Sequence, residues 1–310
     1  MSITINKIEG LVAAPFSPMK ENGELNVSAI PAYYNFLKKN GVAGAFINGS
    51  TGEGVSQTNA ERKLQAEVWA EQVKKDDSPM KLINLVGGTS YQECIDLALH
   101  SQSIGVDAIA ILAPFYFKPG TAKALAEFCA KVAAAVPEMP VYFYHIPVLT
   151  GCNVSMYDFL KEADGLIPNL AGIKYTHEDF MDFLSCMSFK DGKYDMLWGR
   201  DENLLSALVL GARGGVGSTF NYAAPLYHKL IKAYNEGNVV EARQLQQLSI
   251  DMIRLLGKYG GIATGKAYMR YVGLECGEFR LPVKNMTAEA YKAFEADVRA
   301  LNMEELFSKF

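Results

Sequence analysis

Lys174 is the residue whose surroundings point most directly to chemistry. The run 170–175 carries no other charge and is apolar enough to be buried, and an unpaired ammonium group in such a place is costly. Removal from water favours the neutral amine and lowers its pKa, so the lysine becomes a nucleophile towards a carbonyl carbon. Two other interpretations stay open for this residue alone: a lysine that extends from a strand end into water, or one that contacts a phosphate.

Tyr144 ends the apolar run that precedes the run of Lys174 along the chain. If the two runs are neighbouring strands, a phenol at this point lies within reach of the amine. It can then relay protons during carbinolamine formation and bond cleavage. Taken alone, Tyr144 fits better as a tyrosine at the edge of the core whose hydroxyl group has a hydrogen-bond partner.

The segment 48–54 holds three glycines and two hydroxyl side chains, Ser50 and Thr51, between a strand-like run and a helix-like run. Such a turn can direct backbone N–H groups at an anion, and a carboxylate suits it as well as a phosphate does. The segment lacks the G-K-[S/T] ending of a Walker A loop. A tight turn that uses glycine for positive φ is the simpler explanation unless a partner group lies nearby.

Further polar residues follow the other short runs, and these are Tyr116, Thr176, Gly199, Asp201, Glu202 and Ser218. The adjacent acids Asp201 and Glu202 suit metal ligands, acceptors for hydroxyl groups, or acids in the first turn of a helix. The glycine-rich segment 211–217 leaves a phosphate-binding isomerase as an alternative function, because the eighth loop of many barrels binds phosphate. The aromatic segment 115–117 suits either a hydrophobic plug under its loop or, as the sharper hypothesis, a contact with another subunit.

Short apolar runs alternate with longer amphipathic segments along most of the chain. This alternation predicts an α/β fold, a (β/α)8 TIM barrel. In such a barrel the candidate residues named above, which follow the short runs, converge on one rim. A doubly wound sheet is the competing architecture, but the first turn has no glycine. The predicted strands are Gly10–Phe16, Gly44–Asn48, Lys81–Val86, Asp107–Ala113, Pro140–His145, Ala171–Tyr175, Tyr194–Trp198 and Gly214–Ser218.

Helix signals complete this pattern. Thr58 with Glu61 and Ser90 with Glu93 have the spacing of capping boxes. After the eighth strand the chain turns helical, over residues 224–236, 238–257, 261–272 and 288–306. We therefore expect a catalytic barrel in residues 1–236 and a C-terminal helical extension in residues 237–310.

Composition excludes several classes of protein. The 310 residues are 49% hydrophobic with a net charge of −4 and no basic stripe, which argues against disorder and against nucleic acid or membrane as partners. The histidines form no H-E-x-x-H pair, so a metal hydrolase gains no support. The cysteines are scattered without a C-x-x-C pair, which favours a reducing cytoplasm; they are Cys94, Cys129, Cys152, Cys186 and Cys276.

Together these segments resemble the N-acetylneuraminate lyase branch of the dihydrodipicolinate synthase superfamily, a group of class I aldolases and dehydratases that act on pyruvate-type substrates. The resemblance runs from about residue 11 to the C-terminal helices. It rests on Gly49-Ser50-Thr51-Gly52-Glu53, Tyr144-His145-Ile146-Pro147 with Leu149-Thr150-Gly151, Gly172-Ile173-Lys174, Gly199-Arg200-Asp201-Glu202 and Gly217-Ser218-Thr219-Phe220-Asn221.

The resemblance implies a Schiff base between Lys174 and the ketone of open-chain N-acetylneuraminate, followed by cleavage to N-acetylmannosamine and pyruvate. It implies that Ser50 and Thr51 hold the substrate carboxylate. Tyr144 would act as the acid and base, linked to Ser50 and to Tyr116 of a neighbouring subunit in a homotetramer. The sugar hydroxyl groups would bind Thr176, Gly199, Asp201, Glu202 and Ser218. Neither a metal nor an organic cofactor is expected.

The branch is indicated by Leu149, which stands where synthases that condense pyruvate with aspartate semialdehyde usually carry an arginine. A neutral side chain cannot pair with that substrate's carboxylate. His145 replaces a commoner asparagine, and the position of Arg200 has no assigned role. A 2-keto-3-deoxy sugar acid aldolase, a dihydrodipicolinate synthase and a non-catalytic barrel that binds keto acids stay as alternatives.

Overall fold

A closed barrel of parallel strands forms the centre of the computed structural model, which describes residues 3–76 and 79–310. Within these ranges each strand pairs with the next along the chain, and the last pairs with the first. The predicted (β/α)8 barrel is confirmed, and every strand except β6 is shorter than predicted. They are β1 Gly10–Ala13, β2 Gly44–Ile47, β3 Lys81–Leu85, β4 Ala108–Leu112, β5 Val141–His145, β6 Leu170–Tyr175, β7 Asp195–Trp198 and β8 Gly214–Gly217.

Helices surround the barrel and continue beyond it. They are α1 Ile30–Lys39, α2 Asn59–Lys75, α3 Tyr91–Ser103, α4 Ala122–Ala133, α5 Pro147–Thr150, α6 Met156–Ala163, α7 Phe180–Ser188, α8 Leu204–Val209, α9 Phe220–Asn235, α10 Val239–Lys258, α11 Ala263–Tyr271 and α12 Ala288–Ala300. Thr58 and Glu61 form the predicted capping box at the start of α2. Ser90 caps α3 by accepting a hydrogen bond from the backbone N–H of Glu93. No helix in the described ranges is both long enough and apolar enough to cross a membrane.

The barrel interior is filled with side chains rather than hollow. Val12, Phe46, Leu112, Tyr142 and Tyr144 belong to one buried cluster there. In the parallel pairing of β5 and β6, Tyr142 lies beside Gly172 and Tyr144 beside Lys174. Partners in a parallel ladder face the same side, so Lys174 points into the barrel at the carboxyl ends of the strands.

The C-terminal helices pack on the barrel. The predicted bounds were wrong at two ends, because α9 begins at Phe220 instead of 224 and α12 ends at Ala300 instead of 306. Pro225 lies inside α9, next to a kink at Ala223. Tyr222 of α9 stacks on Tyr268 of α11 with ring centroids 4.5 Å apart. Both rings belong to the core cluster that contains the barrel's outer residues, so the division at residues 236 and 237 stays a prediction.

Gly172 offers a direct test of the close approach between β6 and β7. A Cβ atom at this position would lie 1.8 Å from the backbone oxygen of Asp195. We expect Gly172→Ala to lower the free energy of unfolding in urea by more than about 3 kcal/mol, because backbone must move to admit the methyl group.

Gly257→Ala is the matched control. Gly257 lies in α10 with no atom within 4 Å of an added Cβ. This variant is expected to keep or raise the free energy of unfolding by up to about 1 kcal/mol. Equal stability of the two variants would contradict the strand packing described here.

Candidate active site

The amine of Lys174 lies in a nearly dry position between two aromatic rings. The residue is 3% exposed, and its Nζ lies 4.0 Å from the ring centroids of both Phe46 and Tyr144. Burial lowers the pKa of Lys174 to about 7, while the carboxylate of Asp201 acts in the opposite direction. A substantial fraction of this lysine is therefore a neutral amine at pH 7, as the sequence predicted.

Asp201 is the acid that faces this amine, and it is buried at 5% exposure. Its Oδ2 accepts hydrogen bonds from the backbone N–H of Thr219 at 2.9 Å and from Thr219 Oγ1 at 2.6 Å. Burial, reinforced by the charge of Glu202, raises the pKa of Asp201 to about 7, while Thr219 and Lys174 act to lower it. The charges of Lys174 and Asp201 therefore act on each other's pKa, each favouring the charged form of the other.

Gly217 at the end of β8 makes room for this acid. A Cβ atom on Gly217 would lie 2.2 Å from Oδ1 of Asp201. The backbone oxygen of Asp201 accepts a bond of 3.1 Å from Gln246 Nε2 of α10. The acid is thus held by β8 on one side and by the C-terminal helices on the other.

Tyr144 and Ser50 meet as predicted. The Tyr144 hydroxyl lies 3.4 Å from Ser50 Oγ, and the ring packs edge-on to Phe46. Burial raises the pKa of Tyr144 to about 12, with the hydroxyl groups of Ser50 and Thr176 acting in the opposite direction. The phenol is protonated at neutral pH, so in the resting site it is a proton donor beside the amine.

The loop after β2 is fixed by a contact that the sequence analysis missed. Glu53, with a left-handed φ of +56°, accepts a hydrogen bond from Lys266 Nζ of α11 at 2.9 Å and one from the backbone N–H of Arg280 at 2.9 Å. Lys266 and Glu53 are both buried, so removing either partner would leave an uncompensated charge. This ion pair holds Ser50 and buried Thr51 at the rim.

The other predicted residues all follow strands at the same rim, and all but one of them are half-buried there. Thr176, Gly199, Glu202 and Ser218 are half-buried just after β6, β7 and β8. Gly199 closely approaches Thr176, since a Cβ on the glycine would lie 2.0 Å from Thr176 Oγ1. Tyr116 is the exception: within one chain it is 78% exposed on the loop after β4, and no contact joins it to the other residues here.

His145 follows Tyr144 at the end of β5 and is buried at 4% exposure. Its ring packs against Tyr175 at 5.0 Å and His177 at 5.6 Å between centroids. Burial, with a contribution from His177, lowers the pKa of His145 to about 4. His145 is therefore neutral at pH 7, and its ring packs on the outer side of the barrel, whereas Tyr144 faces the interior.

Comparisons with known proteins agree on one group of enzymes. The family model described as the dihydrodipicolinate synthetase family matches residues 7–301. The chain is 39% identical over 306 residues to N-acetylneuraminate lyases of Rattus norvegicus and Homo sapiens, covering 97% of this chain and 95% of each relative. The solved structure of Proteus mirabilis N-acetylneuraminate lyase superposes with a TM-score of 0.92 at 37% identity, covering 96% of this chain and 99% of that one.

The titration of Lys174 can be measured directly by NMR on protein labelled with ¹³C at the lysine ε carbon. We expect one resonance that titrates near pH 7 and that is lost in Lys174→Met. In Asp201→Asn this resonance should titrate at a lower pH, because the carboxylate that raises the lysine pKa has been removed. A Lys174 resonance that titrates at its ordinary value of 10.5 would show that the amine is solvated.

Proposed function

The chain belongs to the dihydrodipicolinate synthetase family, and from this premise we propose that it is a class I aldolase that cleaves N-acetylneuraminate to N-acetylmannosamine and pyruvate. The observation that carries the proposal is the buried amine of Lys174 beside the Tyr144 hydroxyl, in a chain whose similar relatives are N-acetylneuraminate lyases. Leu149 fits this assignment, because it is neutral and 63% exposed where a synthase would present an arginine.

The first step is formation of the imine. The neutral amine of Lys174 attacks the C2 ketone of the open-chain sugar acid. The oxygen gains one proton from the attacking amine and a second from Tyr144, which becomes a phenolate, and leaves as water. Ser50 and Thr51 hold the adjacent carboxylate, which places C2 over the amine. The product is a cationic iminium between Lys174 Nζ and C2.

Cleavage uses the iminium as the acceptor of electrons. The C4 hydroxyl gives its proton to Tyr144, the C3–C4 bond breaks, and its electron pair moves into the C2–C3 bond to form an enamine. The positive iminium next to the Tyr144 ring favours the phenolate, which offsets the raised pKa of this phenol in the resting site. N-Acetylmannosamine leaves, C3 takes up a proton, and water releases pyruvate from Lys174. No metal or organic cofactor takes part in this scheme.

The remaining rim residues bind the sugar. Hydroxyl and backbone groups of Thr176, Gly199 and Ser218, with the carboxylates of Asp201 and Glu202, offer hydrogen-bond partners around the path from Lys174 outwards. These are the groups that a polyhydroxylated substrate requires.

The assembly that fits this function is a homotetramer in the cytoplasm. The exposed aromatic residues 115–117 would enter an interface, where Tyr116 of a neighbouring subunit approaches the Tyr144 hydroxyl. All five cysteines are free and buried, which suits a reducing compartment. Residues 1–236 form the catalytic barrel in this proposal, and residues 237–310 form the extension that supports it.

Reductive trapping tests the imine. Borohydride added with pyruvate should attach an N-carboxyethyl group to Lys174, because reduction fixes the Schiff base as a secondary amine. Mass spectrometry of the digested protein locates the group. Lys81→Met removes an exposed lysine at the start of β3 and should trap pyruvate like the unchanged protein, whereas Lys174→Met should not. Folded protein without the adduct would refute the aldolase mechanism.

Tyr144→Phe tests proton transfer. We expect the release of N-acetylmannosamine to fall by about 100-fold or more, because the acid and base of the cleavage step are removed while the ring that packs on Phe46 is kept.

The substrate assay that accompanies this variant separates the alternatives. The unchanged protein should release N-acetylmannosamine from N-acetylneuraminate faster than it releases glyceraldehyde from 2-keto-3-deoxygluconate. The reverse preference would favour a 2-keto-3-deoxy sugar acid aldolase. Condensation of pyruvate with aspartate semialdehyde would favour a synthase, and pyruvate binding without turnover would favour a non-catalytic barrel.

A further inference from the structure

Arg200 joins two carboxylates that come from neighbouring loops. Its Nη2 lies 2.9 Å from Glu178 Oε1 and 2.9 Å from Glu202 Oε1. Glu178 follows β6 and Arg200 follows β7, and these strands are neighbours in the barrel. We propose that Arg200 is a positioning residue that holds the Glu202 carboxylate towards the outer end of the substrate and so sets the preference for sugar acids with a long polyol side chain. This inference rests on the proposed function.

The main chain of Arg200 is fixed from below. Trp198, buried between the rings of Tyr175 and Phe180, donates from Nε1 to the backbone oxygen of Arg200 at 2.7 Å. The same indole N–H lies 3.1 Å from Asn203 Oδ1. A wholly buried ring therefore determines where the guanidinium group of Arg200 can reach.

Glu178 is held by two donors, which makes the arrangement a closed network. Asn203 Nδ2 donates to Glu178 Oε1 at 3.1 Å, the same oxygen that Arg200 contacts. Asn203 is itself contacted by the Trp198 indole. An isolated surface ion pair contributes little, but shared partners lower the entropy lost in ordering each side chain.

The two adjacent acids differ in depth, and this difference indicates which part of a substrate each one meets. Asp201 is buried against Thr219 and acts on Lys174, whereas the side chain of Glu202 is 31% exposed at the rim. A substrate bound through C2 to Lys174 extends outwards from the barrel. Its far end, the polyol side chain, therefore lies near the outer acid.

Electrostatics explain why Glu202 needs Arg200. The charge of Glu202 raises the pKa of Asp201, so the two acids repel each other. Glu178 brings a third carboxylate to the same rim. Without the guanidinium group, repulsion would turn Glu202 into solvent, where its oxygens no longer face the substrate.

The test compares Arg200→Gln and Arg200→Lys on two substrates, N-acetylneuraminate and the analogue whose polyol side chain is shortened by mild periodate oxidation and reduction. We expect Arg200→Gln to raise KM for N-acetylneuraminate by about tenfold with little change in kcat, because one charge-assisted contact is lost at a partly exposed site. KM for the shortened analogue should stay nearly constant. Arg200→Lys keeps the charge and should restore part of the preference.

Arg213→Gln is the matched control, since Arg213 forms one exposed ion pair, with Glu9, at the opposite end of the barrel. It should leave both KM values unchanged. If Arg200→Gln traps pyruvate as well as the unchanged protein does, its Lys174 site is intact and its KM values can be compared. If it fails to trap pyruvate, the KM values of Arg200→Lys are compared instead. An unchanged ratio of the two KM values would refute the positioning role alone, whereas absence of trapping in the unchanged protein would refute the proposed function itself.

Discussion

Keeping the amine of Lys174 out of water is the constraint on which the rest of the site depends. A lysine in solution is protonated at pH 7 and does not attack a carbonyl carbon, so the protein must make the charged form unfavourable. It does so with two aromatic rings and the walls of a filled barrel. The loss of water is the larger effect and lowers the lysine pKa, while the faces of the two rings attract a cation and so suit the iminium that follows the amine.

This constraint costs stability, and the C-terminal helices help to offset the cost. The charge of Asp201 offsets part of the pKa decrease that burial causes at Lys174. Asp201 is itself buried, and it is held in place by Thr219 and by Gln246 of α10. The loop after β2 depends similarly on α11, through the pair of Glu53 and Lys266. The extension therefore does more than cover the barrel, because it fixes two of the loops from which the site is built.

Local patterns were enough to predict the barrel, the order of its strands and the position of Lys174. Lys174 is the only charged residue in an apolar run, which the sequence shows directly. The strand ends of a parallel barrel share one rim, so its position in the fold follows. The partnership of Glu53 with Lys266 spans 213 residues and leaves no periodic signal. The start of α9 was misplaced because Pro225 suggests a first turn, whereas this helix carries the proline beyond a kink at Ala223. The role proposed for Tyr116 depends on a second subunit, and its 78% exposure within one chain neither supplies nor excludes that contact.

The contrast between Asp201 and Glu202 shows how adjacent residues of one chemical type acquire different tasks. Just after β7 the chain enters a short helical turn, so successive side chains point in different directions. One carboxylate turns under β8, where Gly217 leaves space for it and the charge of Lys174 acts to lower its pKa. The other turns to the rim, where Arg200 balances its charge and solvent reaches it. The inner acid thus raises the pKa of the amine, and in the proposed function the outer acid binds the far end of the substrate. Each would be unsuited to the other's place, because an acid moved out into solvent would no longer raise the pKa of Lys174, and a buried acid could not reach the polyol.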